Sequence, residues 1–400
     1  MSNGNSFTRS RLKQTAAFSL LALASFTAFS CGKAPISNSS ISTVDIPNTN
    51  AKWQSIGNCW VYAALGWVEA LVLKAIDGAN VLDLSETYIT YRHYEELLQD
   101  RSLTDVETGG TFFESSQLMA KYGLMNEGDF IPAEAEKSKS DVQDKATKYL
   151  NLSLKEGKLK TDRSAPTIRA ELDAAFGVVL ADVQSKIFPA TSIVVGKTAD
   201  GKDLTLDTQL FTWNQTRWPR DLRASQRPET LPAWNETFTP AQTALLRRVK
   251  VALNAGYPVI INWFVDFNAL DDKGIFDAET LRKLGKPGHQ GYHSTVLEDY
   301  VAEGINPATN EVFTTSEGTV SEELKTLAAQ NGVIKYFIIK NSWGGAERLN
   351  RSSYASNGVK GFHRLNANYI FANLQQTDEA TGKFVRSETG VNSFVLPPGF

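Results

Sequence analysis

The stretch that most constrains this chain is residues 53–64, a polar turn followed by the start of a long apolar run. Its letters are WQSIGNCWVYAA, and the apolar run continues to Leu73. The run has no proline and no strict alternation of apolar and polar residues, so it predicts a buried helix rather than a strand. Cys59 falls in the first turn of that helix, where unpaired N–H groups and the helix dipole favour a thiolate. The competing interpretation is a small apolar residue packed at a helix start, because free cysteines are among the most buried residues.

The length and composition of the chain allow a sizeable core. The 400 residues are 42% hydrophobic and 10% aromatic, enough for one large domain or two lobes. A formal net charge of −3 leaves no electrostatic footprint for nucleic acid, so we expect no nucleic-acid partner. Cys31 and Cys59 are the two cysteines, and disulfides are therefore not expected to stabilise the fold. No two histidines have the close spacing of a ligand pair on a predicted helix, so we expect no metal and no cofactor.

The N-terminus predicts export. Basic residues precede an apolar segment, 16–29, which is too short for a comfortable membrane span. Because it ends Ala-Phe-Ser-Cys, it resembles a bacterial lipoprotein signal, in which the cysteine after the cleavage point carries the lipid. The resemblance implies a signal peptide at 1–30, lipidation of Cys31 and a lipid anchor in the bacterial cell envelope; a secreted or periplasmic protein is the alternative. Residues 31–50 are rich in Ser, Asn, Thr and Pro and predict a flexible tether.

The rest of the chain divides into three parts. Residues 51–130 predict a helical lobe that carries the cysteine. Residues 131–240 are first dense in Lys and Asp and then aromatic, and we expect them to form a folded insertion that caps one lobe. From residue 241 onwards, short β-branched and aromatic runs are typical of strands, at 259–265, 292–301 and 336–340. Residues 241–400 therefore predict a β-rich lobe.

A thiol nucleophile needs a base and a group that orients the base. Three residues in this last part of the chain could supply and protect such a pair. Among the four histidines, His293 stands at the start of a predicted strand after a Gly-rich loop, and His289 in that loop is the runner-up. Asn341 ends the neighbouring predicted strand, where its amide would orient an imidazole, and Trp343 would shield that hydrogen bond from water. Each has an ordinary interpretation as a strand-edge residue, a turn former or a core aromatic. Together they fit a Cys–His–Asn arrangement.

These segments resemble those of the papain superfamily of cysteine peptidases. Residues 57–60, Gly-Asn-Cys-Trp, resemble the nucleophile motif, and His293 followed by Ser and an apolar strand resembles the histidine motif. Residues 339–344, Ile-Lys-Asn-Ser-Trp-Gly, match the asparagine motif almost residue for residue. The likeness covers residues 51–130 and 241–372, roughly half of the chain.

The resemblance implies an α+β fold of two lobes, one helical and one an antiparallel, β-barrel-like lobe, with the active-site cleft between them. It implies Cys59 as the nucleophile, His293 as its acid/base partner and Asn341 as the group that orients the imidazole. Gln54 would donate to the oxyanion beside the backbone N–H of the cysteine. The usual glutamine stands one residue further from the cysteine than Gln54 does.

The resemblance also implies a peptide or protein substrate, cleaved through an acyl-enzyme on the cysteine. Gly109, Gly110 and Trp343 are the implied substrate-binding residues, the glycines by pairing with an extended peptide. The long segment before His293 and the lack of disulfides look more like the bleomycin hydrolase and bacterial aminopeptidase branch, whose members hold a C-terminal tail in the cleft. Endopeptidase and aminopeptidase activity both stay open. Two other functions also stay open: binding of peptides or a partner without hydrolysis, and acyl transfer by the same three residues. The oligomeric state is open as well.

Overall fold

The computed structural model describes residues 46–76, 82–135, 137–220, 238–315, 320–344, 354–356, 359–378 and 380–400, with the backbone alone at 354–356 and 359–360. The expected signal peptide and the expected lipidation site, Cys31, lie outside these residues. In the described part of the chain no helix is long and apolar enough to cross a membrane.

Helices and strands both occur throughout, which confirms the α+β class. The helices are α1 (Cys59–Ala75), α2 (Glu86–Leu97), α3 (Phe112–Tyr122), α4 (Glu127–Phe130), α5 (Gln143–Lys155), α6 (Ala165–Phe176), α7 (Leu180–Val183), α8 (Pro240–Asn254), α9 (Ala278–Leu284), α10 (Glu322–Asn331) and α11 (Ala367–Ile370). The strands are β1 (Val194–Lys197), β2 (Asp203–Thr205), β3 (Asn214–Arg217), β4 (Val259–Asp266), β5 (Ile275–Phe276), β6 (Gln290–Ile305), β7 (Val312–Thr314), β8 (Val333–Lys340), β9 (Tyr354–Ser356), β10 (Val359–Asn366), β11 (Asn373–Thr377), β12 (Phe384–Thr389) and β13 (Val391–Leu396).

The apolar run after residue 58 folds as predicted into the buried helix α1. Fourteen of its seventeen residues are buried, because α1 packs against α2, α3 and β6 and has almost no face left for solvent. Helix α2 begins after Ser85, whose hydroxyl accepts a hydrogen bond from the Tyr88 backbone N–H and so caps the first turn. Helix α3 ends at Gly123, where a φ of 71° takes the chain into a conformation that glycine adopts without strain.

The main sheet has the strand order β3-β13-β4-β6-β8-β10-β5, with β7 paired to β6 and β9 paired to β10. Its described pairs are antiparallel except for β10 with β5. The strands predicted at 259–265, 292–301 and 336–340 are confirmed as β4, β6 and β8. Since β3 and β5 stand at the two ends of this order, the described pairings do not close the sheet into a barrel. Strands β1 with β2 and β11 with β12 form two small separate sheets.

Two large hydrophobic clusters form the core. One joins α1, α2 and α3 to buried residues of the segment 131–240, and the other lies against the main sheet together with α8 and α11. The segment expected to cap a lobe therefore supplies much of the first cluster: the ring of Trp213 packs edge-to-face on Trp67 of α1, with centroids 4.9 Å apart. Strand β3 of the same segment pairs with β13 and so belongs to the main sheet.

The end of the expected tether belongs to the fold. Ile46, Asn48 and Thr49 are buried, and the Thr49 hydroxyl donates a hydrogen bond to the Glu69 carboxylate of α1. A flexible tether over all of 31–50 is therefore wrong for residues 46–49. Their polar composition suggested a linker, but the Asn48 Nδ2 atom and the Thr49 hydroxyl find hydrogen-bond partners inside the protein.

Candidate active site

His293 and Asn341 meet where two neighbouring strands begin and end. Strands β6 and β8 are antiparallel, with Val296 opposite Lys340, so the start of β6 lies beside the residue that follows β8. The Nε2 atom of His293 and the Oδ1 atom of Asn341 are 2.7 Å apart, a hydrogen-bond distance. Because an amide oxygen can only accept, this bond places the proton on Nε2 and makes Nδ1 the basic nitrogen of the ring.

Further hydrogen bonds fix the orientation of the Asn341 amide. Its Oδ1 atom also accepts from the Ser342 backbone N–H at 2.7 Å. Its Nδ2 atom lies 3.1 Å from Nδ1 of His363 on β10, and since an amide nitrogen donates, His363 accepts. Sequence reasoning gave His363 no role, because only the pairing of β10 with β8 brings it to the asparagine.

Trp343 covers the histidine. Its ring stacks on the His293 ring with centroids 4.8 Å and planes 18° apart, and Trp343 is only 6% exposed. It also packs edge-on against the His363 ring, at 5.1 Å. The indole therefore lies against the imidazole, and its expected shielding of the His293–Asn341 hydrogen bond stays a prediction. Its expected contact with substrate stays a prediction, since it is not one of the described residues that line the cleft.

One open cleft is lined by four of the residues predicted from the sequence, namely Cys59, Gly109, Gly110 and His293. Its volume is about 730 Å³. The backbone N–H of Ser294, the residue next to His293, is close enough to the Cys59 sulfur to lower the pKa of the thiol. The candidate nucleophile, on the first turn of α1, and the candidate base, on β6, therefore line the same cleft.

The pKa of Cys59 is shifted upwards, whereas its place at the start of a helix was expected to favour the thiolate. Burial raises the pKa of the thiol to about 11, although the backbone N–H groups of Ser294, Trp60 and Cys59 itself lower it. The helix terminus does offer its N–H groups, because the Asn58 side chain does not cap it. Removal of water from the thiolate outweighs them. Burial therefore favours the protonated thiol, which needs a base to take its proton.

Gln54 is tied to its neighbours rather than to the cleft. Its Nε2 atom donates to the Ile56 carbonyl at 2.9 Å, and its Oε1 atom accepts from the Ser342 hydroxyl. Its backbone N–H donates to the Ser342 carbonyl at 2.9 Å, which joins the loop before α1 to the segment after β8. Neither Gln54 nor the runner-up histidine, His289, is among the described residues that line the cleft. The oxyanion role of Gln54 stays a prediction.

The last two residues, Gly399 and Phe400, do not line this cleft. Strand β13 runs through the main sheet, and after it the Phe400 carbonyl accepts a hydrogen bond from Arg248 on α8. The Phe400 ring packs on Tyr257 with centroids 5.7 Å apart. Gly399 and Phe400 line a separate cavity of about 880 Å³ beside α8. These residues therefore do not form the tail in the cleft that the aminopeptidase branch implies.

Known proteins show only distant likeness to this chain. No family model matches it, and no curated protein matches it. Among solved structures, PepW from Lactobacillus rhamnosis is similar over 90% of this chain and 82% of its own, with 16% identity and a TM-score of 0.41. Xylellain, a cysteine protease from Xylella fastidiosa, is similar over 90% of this chain and 88% of its own, with 11% identity and a TM-score of 0.37. At these levels neither likeness decides which reaction this chain performs, so its chemistry is inferred below from its own residues.

Proposed function

We propose that this protein is a papain-like cysteine peptidase, with Cys59 as the nucleophile, His293 as the base and Asn341 as the orienting group. The observation that carries the proposal is the 2.7 Å contact between His293 Nε2 and Asn341 Oδ1, on a histidine that shares its cleft with Cys59. With the proton held on Nε2, the Nδ1 atom accepts the thiol proton. The stacked ring of Trp343 keeps water from the orienting hydrogen bond.

In this mechanism the proton moves as the sulfur attacks, because burial favours the protonated thiol. The Cys59 sulfur bonds to the scissile carbonyl carbon while His293 takes the thiol proton, and the carbonyl oxygen becomes an oxyanion. His293 then gives the proton to the departing amine, which leaves an acyl-enzyme that water hydrolyses. The backbone N–H of Cys59 in the uncapped first turn of α1 is one donor for the oxyanion. The Gln54 amide would be a second donor once it turns from the Ile56 carbonyl.

The cleft suits an extended peptide. A Cβ atom added to Gly109 would meet nothing within 4 Å, so there is open space beside this backbone for a second chain. By its resemblance to a lipoprotein signal, the N-terminus would place this activity in the cell envelope, anchored through Cys31.

A panel of fluorogenic peptides tests the proposal. Wild-type protein should turn over at least part of the panel in a thiol-dependent way, and Cys59→Ala should abolish that turnover. Cys31→Ser is the matched control, since it removes the other cysteine of the chain and should retain the activity. Comparing blocked with free N-termini separates an endopeptidase from an aminopeptidase. No turnover by the wild type, or equal turnover by Cys59→Ala, would refute the assignment.

A second candidate is a cleft that binds peptides without hydrolysing them, and the contacts of Gln54 favour it. Its amide donates to the Ile56 carbonyl rather than into the cleft, and losing one oxyanion donor costs about 10²–10³ in rate. A thiol-directed epoxide discriminates between the two functions. A Cys59 that reacts no faster than a model thiol, together with no turnover, would favour the binding protein.

A further inference from the structure

The floor of the cleft beside the candidate catalytic pair is a continuous row of polar residues. Four of them lie opposite one another on four neighbouring strands: Arg217 on β3, Ser393 on β13, Asn262 on β4 and Ser294 on β6. All four line the cleft. Directly opposed residues of a sheet carry their side chains on the same face. The row is therefore one surface, and it ends next to His293.

Hydrogen bonds connect this row and leave it rich in donors. The Ser294 hydroxyl donates to Asn262 Oδ1, and Asn262 Nδ2 donates to Ser393 Oγ at 3.0 Å. Gln215, on the same strand as Arg217, also donates to Ser393 Oγ at 3.0 Å. Ser393 is only 2% exposed, and after accepting twice it still has its own proton to donate. Among the described residues no hydrogen-bond acceptor takes that proton, so an acceptor from a bound molecule would satisfy it.

The charge on this side of the cleft is positive. Arg217 and Arg220 line it, and no Asp or Glu is among its described lining residues. The nearby Glu388 carboxylate pairs with Arg386 at 2.5 Å and lies 4.0 Å from Arg220. These two guanidiniums thus share one carboxylate. Arg217 has no ion-pair partner in the described part of the chain, so its charge is available to a ligand.

We propose that this row is a subsite for a carboxylate, that of an acidic side chain in an extended peptide substrate. The inference rests on the proposed function, because the row adjoins the reacting pair. Arg217 supplies the charge and the planar fork that suits a carboxylate, while Ser393 and Asn262 supply neutral donors. An apolar side chain in the same place would leave these donors unpaired, which is a strong basis for discrimination. A C-terminal carboxylate has the same chemistry and is distinguished by the test.

Matched peptide series test the subsite. In the first series Glu or Gln is placed at each position around the scissile bond, and every peptide is C-terminally amidated. In the second series the Gln peptides carry a free C-terminal carboxylate. We expect the best Glu peptide to exceed its Gln counterpart in kcat/KM by about tenfold, the ratio that about 1.4 kcal/mol produces. A gain confined to the free C-terminal carboxylate would overturn the side-chain assignment.

Charge variants show whether Arg217 is the cause of the preference. Arg217→Gln should bring the Glu-to-Gln ratio close to one, and Arg217→Glu should transfer the preference to a Lys peptide. Arg101→Gln is the matched control, because it removes an exposed arginine that does not line the cleft and should keep the ratio. A Glu preference that survives both Arg217 substitutions would refute the inference.

Binding measurements separate a failure of the subsite from a failure of the proposed function. Fluorescently labelled Glu and Gln peptides are titrated into Cys59→Ala protein and followed by anisotropy, which needs no hydrolysis. Tighter binding of the Glu peptide, without turnover by the wild type, would support the subsite and refute the peptidase. Turnover with no Glu preference in rate or affinity would do the reverse.

Discussion

Cys59 should titrate as a buried thiol. Burial raises its pKa to about 11, against an ordinary value of about 8.5, and this difference corresponds to about 3 kcal/mol in favour of the protonated form. At pH 7 about one molecule in 10⁴ then carries the thiolate, and that fraction rises about tenfold with each pH unit. A thiol that forms a stable ion pair with a histidine instead has a lowered pKa, about 3–4, and is a thiolate at pH 7.

The rate of alkylation by iodoacetamide measures this directly. The assay uses Cys31→Ser protein, in which Cys59 is the only thiol, and follows the intact mass from about pH 5 to about pH 11. A cysteine-containing peptide in the same buffers gives a reference profile with a midpoint near about 8.5. We expect the Cys59 rate to keep rising beyond that midpoint. A rate that is independent of pH between about 5 and about 8 would mean a stable thiolate, and would refute the conclusion that desolvation dominates.

The same pKa shift predicts a dependence of stability on pH. Because the folded pKa lies above the unfolded one, this contribution is complete below about pH 8.5 and is lost as the pH rises to about 11. Between these limits the wild type should lose about 3 kcal/mol more unfolding free energy than Cys59→Ala, which has no thiol to ionise. Urea unfolding at each pH measures both proteins. Equal losses would contradict the burial argument.

Two further predictions concern the groups around the site. His363→Phe removes the acceptor of the Asn341 amide, so kcat should fall about fivefold to tenfold, the worth of about one hydrogen bond, with little change in KM. His363→Gln retains an acceptor and should recover most of that loss in a kinetic assay; equal losses in both variants would mean a general disturbance of packing. Gly110→Ala puts a Cβ atom 2.5 Å from the Trp60 ring, and the unfolding free energy should fall by about 1–3 kcal/mol. Gly109→Ala, whose Cβ meets nothing within 4 Å, should leave it unchanged, and equal effects in denaturant unfolding would contradict the steric reasoning.

The helices and strands that the sequence could predict are those whose pattern lies within one short stretch of the chain. The run after residue 58 is apolar on every face and forms the buried helix α1. The short β-branched runs form β4, β6 and β8, although β6 and β8 extend beyond the predicted bounds. Cys59, His293 and Asn341 could be selected because each stands at or near the end of such an element. The predicted helix and strands therefore already indicate where these three side chains stand in the chain.

The remaining parts depend on pairings between distant segments. Strand β3 reads Asn-Gln-Thr-Arg, with no apolar alternation, because it is an edge strand held by the backbone of β13. Without that pairing, nothing in the sequence connects Arg217 with Ser393 or with the cleft. His363 reaches Asn341 only because β10 lies beside β8. The pKa of Cys59 belongs to the same category, since the helix terminus is a local signal whereas desolvation depends on everything packed around the thiol.

The contacts of Gln54 can be reconciled with catalysis by comparing magnitudes. Turning its amide away gives up two neutral hydrogen bonds, one to the Ile56 carbonyl and one from the Ser342 hydroxyl, which together are worth about 2 kcal/mol. Donating instead to an oxyanion is worth about 2.7–4 kcal/mol in acyl-transfer enzymes. The exchange is therefore unfavourable or neutral with a ground-state carbonyl and favourable only once charge develops on the oxygen. In the proposed mechanism Gln54 would thus stabilise the transition state more than the bound substrate, which is the condition for raising kcat rather than merely lowering KM.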